Sequence, residues 1–310
     1  MGKVTPDKKK VLIITGPTAS GKTSIAIQLA QELGGEIISA DSRQVYRFMD
    51  IGTAKPTLEE RGRAVHYLID IANPDQTYSA GRFVRDAEDL IEQILNRNKL
   101  PIIVGGTGLY IKSLTQGLFR GPAADKTLRE GLEDEVKRYG LEILYDRLKK
   151  RDPATASRIS PKDKIRIVRG LEIVELTSRP ISDWQTKETV PACQYDFRGY
   201  VIDMDRKKLY SRINQRVENM MELGFVEEVK NLKAGGYDFQ LPALCTFGYL
   251  DFHRHLEGEL KLDEAVANFK QKTRNYAKRQ LTWFRSQKQL EWIPAGEVSC
   301  GEIIAERFGR

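Results

Sequence analysis

Apolar and polar positions alternate between two rhythms over the first hundred residues. Val11-Leu12-Ile13-Ile14 is the continuous apolar run of a strand buried on both faces, and Ile25, Leu29 and Ala30 then recur at helical spacing. Gly34-Gly35 stops that helix, and Glu36-Ile37-Ile38-Ser39-Ala40 predicts a second strand ending at Asp41. His66-Tyr67-Leu68-Ile69-Asp70-Ile71 predicts a third strand. Ser79 is placed to cap a helix carrying Phe83, Ala87, Leu90, Ile91 and Leu95. Pro101-Ile102-Ile103-Val104 predicts a fourth strand, which runs into the glycine turn Gly105-Gly106-Thr107-Gly108. Strands alternating with helices predict an α/β domain with a parallel sheet.

From about Gly117 the rhythm changes. Strand-like runs vanish and charge-rich helical segments take over: one with Leu128, Leu132, Val136 and Tyr139, the next with Leu141, Leu144, Tyr145 and Leu148. A third, Asp163 to Leu176, points Ile165, Val168, Leu171 and Ile173 inward and leaves Arg166 and Arg169 outward. Strand character returns at Arg198-Gly199-Tyr200-Val201-Ile202-Asp203. Lys208 to Met221 then predicts an amphipathic helix with Arg212 and Arg216 on one face, and Asp263 to Arg285 a long helix. The aromatics of that helix, Phe269, Tyr276, Trp283 and Phe284, are spaced as a core face rather than as base-stacking groups.

The link between the first strand and its helix carries the first chemistry. Gly16-Pro17-Thr18-Ala19-Ser20-Gly21-Lys22-Thr23 is a G-x-x-x-x-G-K-[ST] loop in a strand–turn–helix context, the setting in which backbone N–H groups and a helix N-terminus cradle an anion. Lys22 adds a point charge for phosphate oxygens, and Thr23 is the candidate ligand for Mg2+. The expected fold class is therefore α/β, a P-loop-type three-layer core with a parallel sheet plus an inserted all-helical domain. The core occupies 1–116 and 197–310, and the insertion 117–196. In an open parallel sheet the ligand sits beyond the carboxyl ends of the strands, which puts Asp41, Thr107 and the loop at one edge. Asp41 has capping of the next segment as its alternative role. Lys55, in the loop Gly52-Thr53-Ala54-Lys55-Pro56, offers a second lysine near the same mouth.

Composition narrows the partners. The 310 residues are 40% hydrophobic and 30% charged, room for about two domains of an ordinary globular protein, and no run approaches a membrane span. Met1 to Lys10 is lysine-rich but lacks the apolar segment of a signal peptide. Cys193, Cys245 and Cys300 are odd in number and far apart, which points to a reducing, cytoplasmic setting rather than a disulfide frame. His253 and His255 have no nearby Cys or His to complete a metal site. The net charge of +7 permits a polyanionic partner. Its distribution says more. Ala265 to Leu290 holds no acidic residue but seven basic ones, and a second cluster runs from Lys149-Lys150-Arg151 through Arg158, Lys162 and Lys164 to Arg166 and Arg169. Two basic clusters beside a phosphate loop favour nucleic acid.

ATP hydrolysis is the familiar use of such a loop, yet it also needs a strand-end Asp for magnesium and a group that positions water. Tyr67-Leu68-Ile69-Asp70 and Tyr200-Val201-Ile202-Asp203 match only an apolar run followed by Asp, and no arginine-finger or glutamine signature accompanies them. A small-molecule kinase with Asp41 as base stays open on these residues.

Five co-linear blocks carry a resemblance. The phosphate loop, Asp41-Ser42-Arg43-Gln44-Val45-Tyr46, Met49-Asp50-Ile51-Gly52-Thr53-Ala54-Lys55-Pro56, Gly105-Gly106-Thr107-Gly108-Leu109-Tyr110 and Ala277-Lys278-Arg279-Gln280-Leu281-Thr282-Trp283-Phe284-Arg285 together resemble the bacterial tRNA dimethylallyltransferases over nearly the whole chain. That family transfers a prenyl group from dimethylallyl diphosphate to the exocyclic N6 amine of the adenosine 3′ of the anticodon, releasing diphosphate. The resemblance implies that Thr18 to Thr23 hold a diphosphate leaving group, with Mg2+ at Thr23, and that the partner is the tRNA anticodon stem-loop. Charge building on diphosphate as the allylic C–O bond breaks would be stabilised by Lys22, the loop N–H groups and magnesium. Asp41, a carboxylate, suits removal of the amine proton. The resemblance further implies Thr107 near the leaving oxygen, Arg216 with Arg212 as a diphosphate clamp, and Asp41, Ser42, Arg43 and Gln44 against the flipped base. It assigns Arg129, Arg166 and Arg169 to the grip on the stem-loop, where phosphate contacts supply much of the affinity.

Two positions depart from the family pattern: Phe48, where a glycine is usual, and Leu250, where a basic residue is common. Three other readings make distinct predictions: a prenyltransferase of free adenine nucleotides, which needs no basic insertion; a P-loop kinase, which would bind ATP; and an RNA-binding module with a vestigial loop. Nothing in the sequence demands more than a monomer.

Overall fold

The computed structural model describes residues 8–119, 121–187, 189–190, 194–296 and 299–309. In chain order the elements begin with β1 (Lys9–Thr15), α1 (Lys22–Leu33), β2 (Gly35–Ser39), α2 (Leu58–Arg63), β3 (His66–Tyr67), α3 (Ala80–Asn96), β4 (Leu100–Gly105) and α4 (Gly108–Gln116). Next come β5 (Leu118–Phe119), α5 (Lys126–Tyr139), α6 (Leu141–Arg151), α7 (Pro153–Ala156), α8 (Lys164–Thr177), α9 (Ile181–Lys187) and β6 (Thr189–Val190). The chain ends with β7 (Tyr195–Asp203), α10 (Arg206–Glu222), α11 (Phe225–Ala234), α12 (Tyr249–Leu256), α13 (Leu262–Arg285), β8 (Leu290–Pro294) and α14 (Cys300–Gly309). They form two compact units, Met1–Leu114 with Cys193–Arg310, and Thr115–Ala192.

In the first unit a six-stranded parallel sheet runs in the order β3-β2-β4-β1-β7-β8. Successive strand side chains point to opposite faces. Leu12 and Ile14 accordingly join Ile37, Ile102 and Ile202 under α1 and α14, while Val11 and Ile13 join Ile38, Ile103 and Val201 in a second core. That second core also takes in Phe83, Phe225, Phe252, Phe269 and Phe284 from the helices of the opposite layer. Helices therefore cover both faces, giving three layers. Because every strand is parallel, the carboxyl ends of β1, β2 and β4 reach the same edge. A small cluster of Ala19, Leu209, Ile213 and Ala277 packs the glycine loop after β1 against α10 and α13.

Two elements differ from the periodicity reading. The third strand is only His66–Tyr67, because Leu68 and Asp70 take positive φ (61° and 58°) and turn the chain away. Asp70 N–H and Ile71 N–H bond instead to Gln44 O and Val45 O. The strand β8 was not anticipated. Its five residues lie at the sheet edge and end in Pro294, where a missing N–H is tolerated.

The second unit packs Leu132 of α5, Leu144 and Leu148 of α6, Ala156 of α7 and Ile167, Val168 and Leu171 of α8 into its own core. A two-residue antiparallel ribbon, β5 with β6, accompanies the expected helices. Ile165 does not point inward; it is 82% exposed. At 100° per residue it turns away from Ile167 and Leu171, which face the core. Of the cysteines, Cys245 and Cys300 are free, and Cys193 lies outside the described residues. No helix of the described residues is long and apolar enough to cross a membrane.

Candidate active site

The glycine loop has the geometry its sequence promised. Gly21 takes the left-handed conformation (φ 90°) as N-cap of α1, so the chain turns from loop to helix at the residue before Lys22. Lys22 Nζ donates to Pro17 O at 2.6 Å. Desolvation of its ammonium and repulsion by Arg216 pull its pKa down to about 7, against an opposing pull from Asp41. Arg216 reaches back from α10, its Nη1 3.4 Å from Thr18 Oγ1, and burial and the Arg212 charge lower its pKa as well. The Arg212 guanidinium lies beside Gly21. Among the described residues, none of these three cations makes an ion pair with a carboxylate within 4.0 Å. Pro17 to Ser20 complete the loop, and Thr18, Ala19, Gly21, Lys22 and Thr23 line a cleft of about 1000 Å³.

Asp41 stands at the end of β2, across the same cleft. Its Oδ1 accepts from Arg43 N–H (2.8 Å) and Gln44 N–H (3.3 Å), so the capping role is real and uses one oxygen. Oδ2 has no hydrogen-bond partner among the described residues. Thr107, after β4, accepts from Ser42 N–H at 3.0 Å and so ties the two strand ends together. Tyr276 of α13 joins them. Its hydroxyl interacts with Thr107, and burial with the Asp41 charge pushes its pKa up to about 12. A smaller pocket of about 150 Å³ opens on Thr18, Asp41, Arg216 and Tyr276 and is backed by Met220 and Phe269.

Arg43 and Gln44 are engaged by the protein. Arg43 Nη1 donates to Pro242 O (2.6 Å) and Ala243 O (3.2 Å). The Gln44 amide bonds Thr53 O, Ala54 O and Ser39 Oγ, fixing the loop that walls the cleft. Lys55 is not a second phosphate lysine. It is buried, and Nζ is consumed by Tyr46 O, Asp50 (2.6 Å) and Asp70 (2.5 Å), because two carboxylates and a carbonyl close over it.

One functional side chain escaped the sequence reading. Gln280 of α13 accepts from Thr18 N–H at 2.9 Å and donates to Gly106 O at 2.9 Å, bridging the phosphate loop and the Thr107 turn. A Cβ on residue 106 would sit 2.3 Å from its Nε2 and displace that amide from the bridge. Its only signal was membership of the block Ala277 to Arg285, which carried the resemblance without a role for Gln280.

The second unit holds the remaining candidates. Arg129 of α5 donates through Nε and Nη2 to Glu172 of α8, both at 2.9 Å. Arg169 Nη1 donates to the same carboxylate at 2.6 Å. Arg166 is exposed and leans on Asp163 at 2.6 Å.

Known proteins resemble this chain in sequence and fold. The family model described as IPP transferase matches residues 44–287. A tRNA dimethylallyltransferase of Geobacter sulfurreducens is 45% identical over 311 residues, covering 100% of both chains. The chain belongs to the IPP transferase family. Among solved structures, a tRNA isopentenylpyrophosphate transferase from Bacillus halodurans superposes with a TM-score of 0.71 at 40% identity, covering 97% of this chain and 95% of that one. A eukaryotic dimethylallyltransferase acting on tRNA gives 0.80 at 28% identity, covering 97% and 77%.

As an IPP transferase the chain explains its own departures. Phe48 sits at φ 66°, a left-handed conformation that favours glycine, and its ring rests on Tyr237 with centroids 6.2 Å apart. Leu250 is half-buried against the core. Among the described residues no group of three or more His, Cys, Asp or Glu is placed to hold a metal. Thr23, in the cleft next to Lys22, suits an ion that keeps most of its ligands from phosphate and water, the habit of magnesium.

Proposed function

We propose that this chain transfers a dimethylallyl group from dimethylallyl diphosphate to the N6 amine of the adenosine beside the anticodon in tRNA. The observation that carries the reading is the convergence of Lys22, Arg212 and Arg216 on the glycine loop, without a carboxylate partner among the described residues, facing Asp41 across one cleft. Three unpartnered cations suit a compact, multiply charged anion. The smaller pocket, with Met220 and Phe269 behind Asp41 and Arg216, has the apolar character and size for a short branched chain.

The groups have matching roles. The allylic C–O bond breaks with its electron pair leaving on diphosphate, where Lys22, Arg216, Arg212 and the loop N–H groups meet the growing charge. The adenine nitrogen forms the new bond to that carbon and loses a proton to Asp41 Oδ2. Thr107, tied to Ser42 beside Asp41, would act near the leaving oxygen, and Gln280 holds both loops in register. Magnesium, bound through Thr23 and the diphosphate, would supply further neutralising charge for the leaving group. Arg129, Arg166 and Arg169 of the helical unit would meet the phosphates of the anticodon stem-loop.

The test offers labelled dimethylallyl diphosphate and magnesium with unmodified tRNA, then with free AMP, and separately ATP alone. Label is expected in tRNA only. Label in AMP would point to the free-nucleotide enzyme, and ADP release from ATP to a kinase. Asp41→Ala is expected to lower single-turnover prenyl transfer by roughly 10²–10⁴-fold while tRNA binding is retained.

A further inference from the structure

Glu172 is fully buried within the helical unit, with no side-chain exposure, yet it is surrounded by arginines that are not buried. Its carboxylate accepts four hydrogen bonds: from Asp125 N–H (2.8 Å), Arg129 Nε and Nη2 (2.9 Å each) and Arg169 Nη1 (2.6 Å). Those contacts fill its acceptor sites. Burial alone would raise its pKa, but the hydrogen bonds from Arg129 and Arg169 hold it below the usual carboxylate range. Arg169 is fixed a second time, Nη2 donating to Pro122 O at 2.8 Å.

The charges do not balance. Two guanidinium charges meet one carboxylate, so the three side chains together carry a net positive charge. Both arginines also keep an outer edge in solvent, the Arg129 side chain 40% exposed and that of Arg169 26%. Two guanidinium groups held by the carboxylate underneath thus reach water. Long side chains that are free in solution lose rotamer freedom on binding; these have lost it already.

We propose that Glu172 is a positioning residue that sets Arg129 and Arg169 as a rigid, net-positive fork for the backbone phosphates of bound RNA. This inference rests on the reading of the helical unit as the tRNA grip, and it makes a prediction opposite in sign to simple electrostatics. Glu172→Gln removes a negative charge from a polyanion-binding face. If net charge were all that mattered, RNA would bind more tightly. If Glu172 positions the arginines, RNA binds more weakly, by about five- to tenfold, the loss expected when two side chains must be immobilised on binding.

The experiment measures the affinity of the full-length protein for an unmodified anticodon stem-loop over a salt series. It uses Glu172→Gln, Arg129→Lys and the double variant Arg129→Ala with Arg169→Ala. Arg129→Lys keeps the charge and the carboxylate but loses the bidentate fork. It is expected to weaken binding several-fold with an unchanged salt slope, and it decides the matter alone if Glu172→Gln unfolds the helices. Circular dichroism melting and titration with inorganic diphosphate verify that each variant is folded. Weaker binding in both single variants supports the proposal. Unchanged or tighter binding in Arg129→Lys and in any folded Glu172→Gln, with loss in the double variant, overturns the positioning role and leaves the tRNA grip intact. No loss even in the double variant overturns the grip itself, and the proposal with it.

Discussion

In the core, Lys22, Arg212 and Arg216 crowd one wall of a cleft with no carboxylate partner among the described residues, whereas in the helical unit Arg129 and Arg169 share the buried Glu172. Both are cation clusters suited to phosphate. They differ in what completes them. Repulsion and burial depress Lys22 and Arg216 together, so the ligand-free cleft is under electrostatic stress that a diphosphate would relieve. The arginines of the helical unit are relieved in advance and keep only a net surplus. A compact leaving group calls for concentrated charge, and a long RNA backbone calls for charge held in a fixed direction. The same side chains serve both because the carboxylate is withheld in one place and supplied in the other.

The sharpest way to break this contrast is to remove one charge from each cluster and compare the signs. Arg216→Met is expected to weaken inorganic diphosphate binding by about 30- to 1000-fold, the effect of deleting one partner of a desolvated charge contact. In the ligand-free protein it should leave the melting temperature unchanged or raise it, since a like-charge repulsion disappears. Glu172→Gln should do the reverse to stability, lowering it by about 2–3 kcal/mol. That is less than a fully buried pair would lose, because its arginines are partly solvated. Calorimetric titration and thermal melts check both. A destabilising Arg216→Met would mean that its charge is structurally compensated after all.

The next test uses pH, and acts on the core alone. Unfolded Lys22 keeps its proton up to its ordinary 10.5, while in the folded, ligand-free protein it releases it near 7. Between about pH 7 and 10 the unfolded state therefore binds more protons, and the stability of the ligand-free protein gains from Lys22 as pH rises. Diphosphate binding prefers the charged lysine, so above pH 7 a proton must be taken up on binding. Affinity should fall by up to about tenfold per pH unit. Titrations at pH 6.5 to 9 in buffers of different ionisation heat would show both the fall and the proton uptake. An affinity flat across that range would remove Lys22 as the site's titrating charge.

How much of this was legible in the sequence depends on how local each contact is. The phosphate loop, Asp41 and Thr107 each follow directly on a strand, so one rule about sheet edges placed all three. Arg212 and Arg216 shared a helix face by spacing, but what that face met came only from the resemblance. Gln280 bonds Thr18 across 262 positions, a contact that exists only once α13 has packed over the sheet. Lys55 read as a second lysine near the mouth of the site, and its ion pairs with Asp50 and Asp70 were hidden because positive-φ turns that periodicity does not reveal bring those partners to it. Nothing in the sequence singled out Glu172. Its burial, and so its hold on two arginines, is a property of the packed unit.

Arg166 supplies the smallest and finest test, because it belongs to the helical unit but not to its fork. Its side chain is 70% exposed and, among the described residues, paired only with Asp163, the N-cap of its helix. Such an exposed pair contributes little to stability, so Arg166→Ala should shift the melting temperature hardly at all. If Arg166 meets a phosphate, the variant should weaken stem-loop binding a few-fold and reduce the salt slope by about 0.7–0.9, the release of one counterion. Arg169→Ala should cost more affinity, because it also loosens Arg129 through the shared carboxylate. The difference between the two measures what fixing a guanidinium adds to simply having one. Equal losses would show that the helical unit reads charge alone, and that the carboxylate beneath the fork serves only the fold.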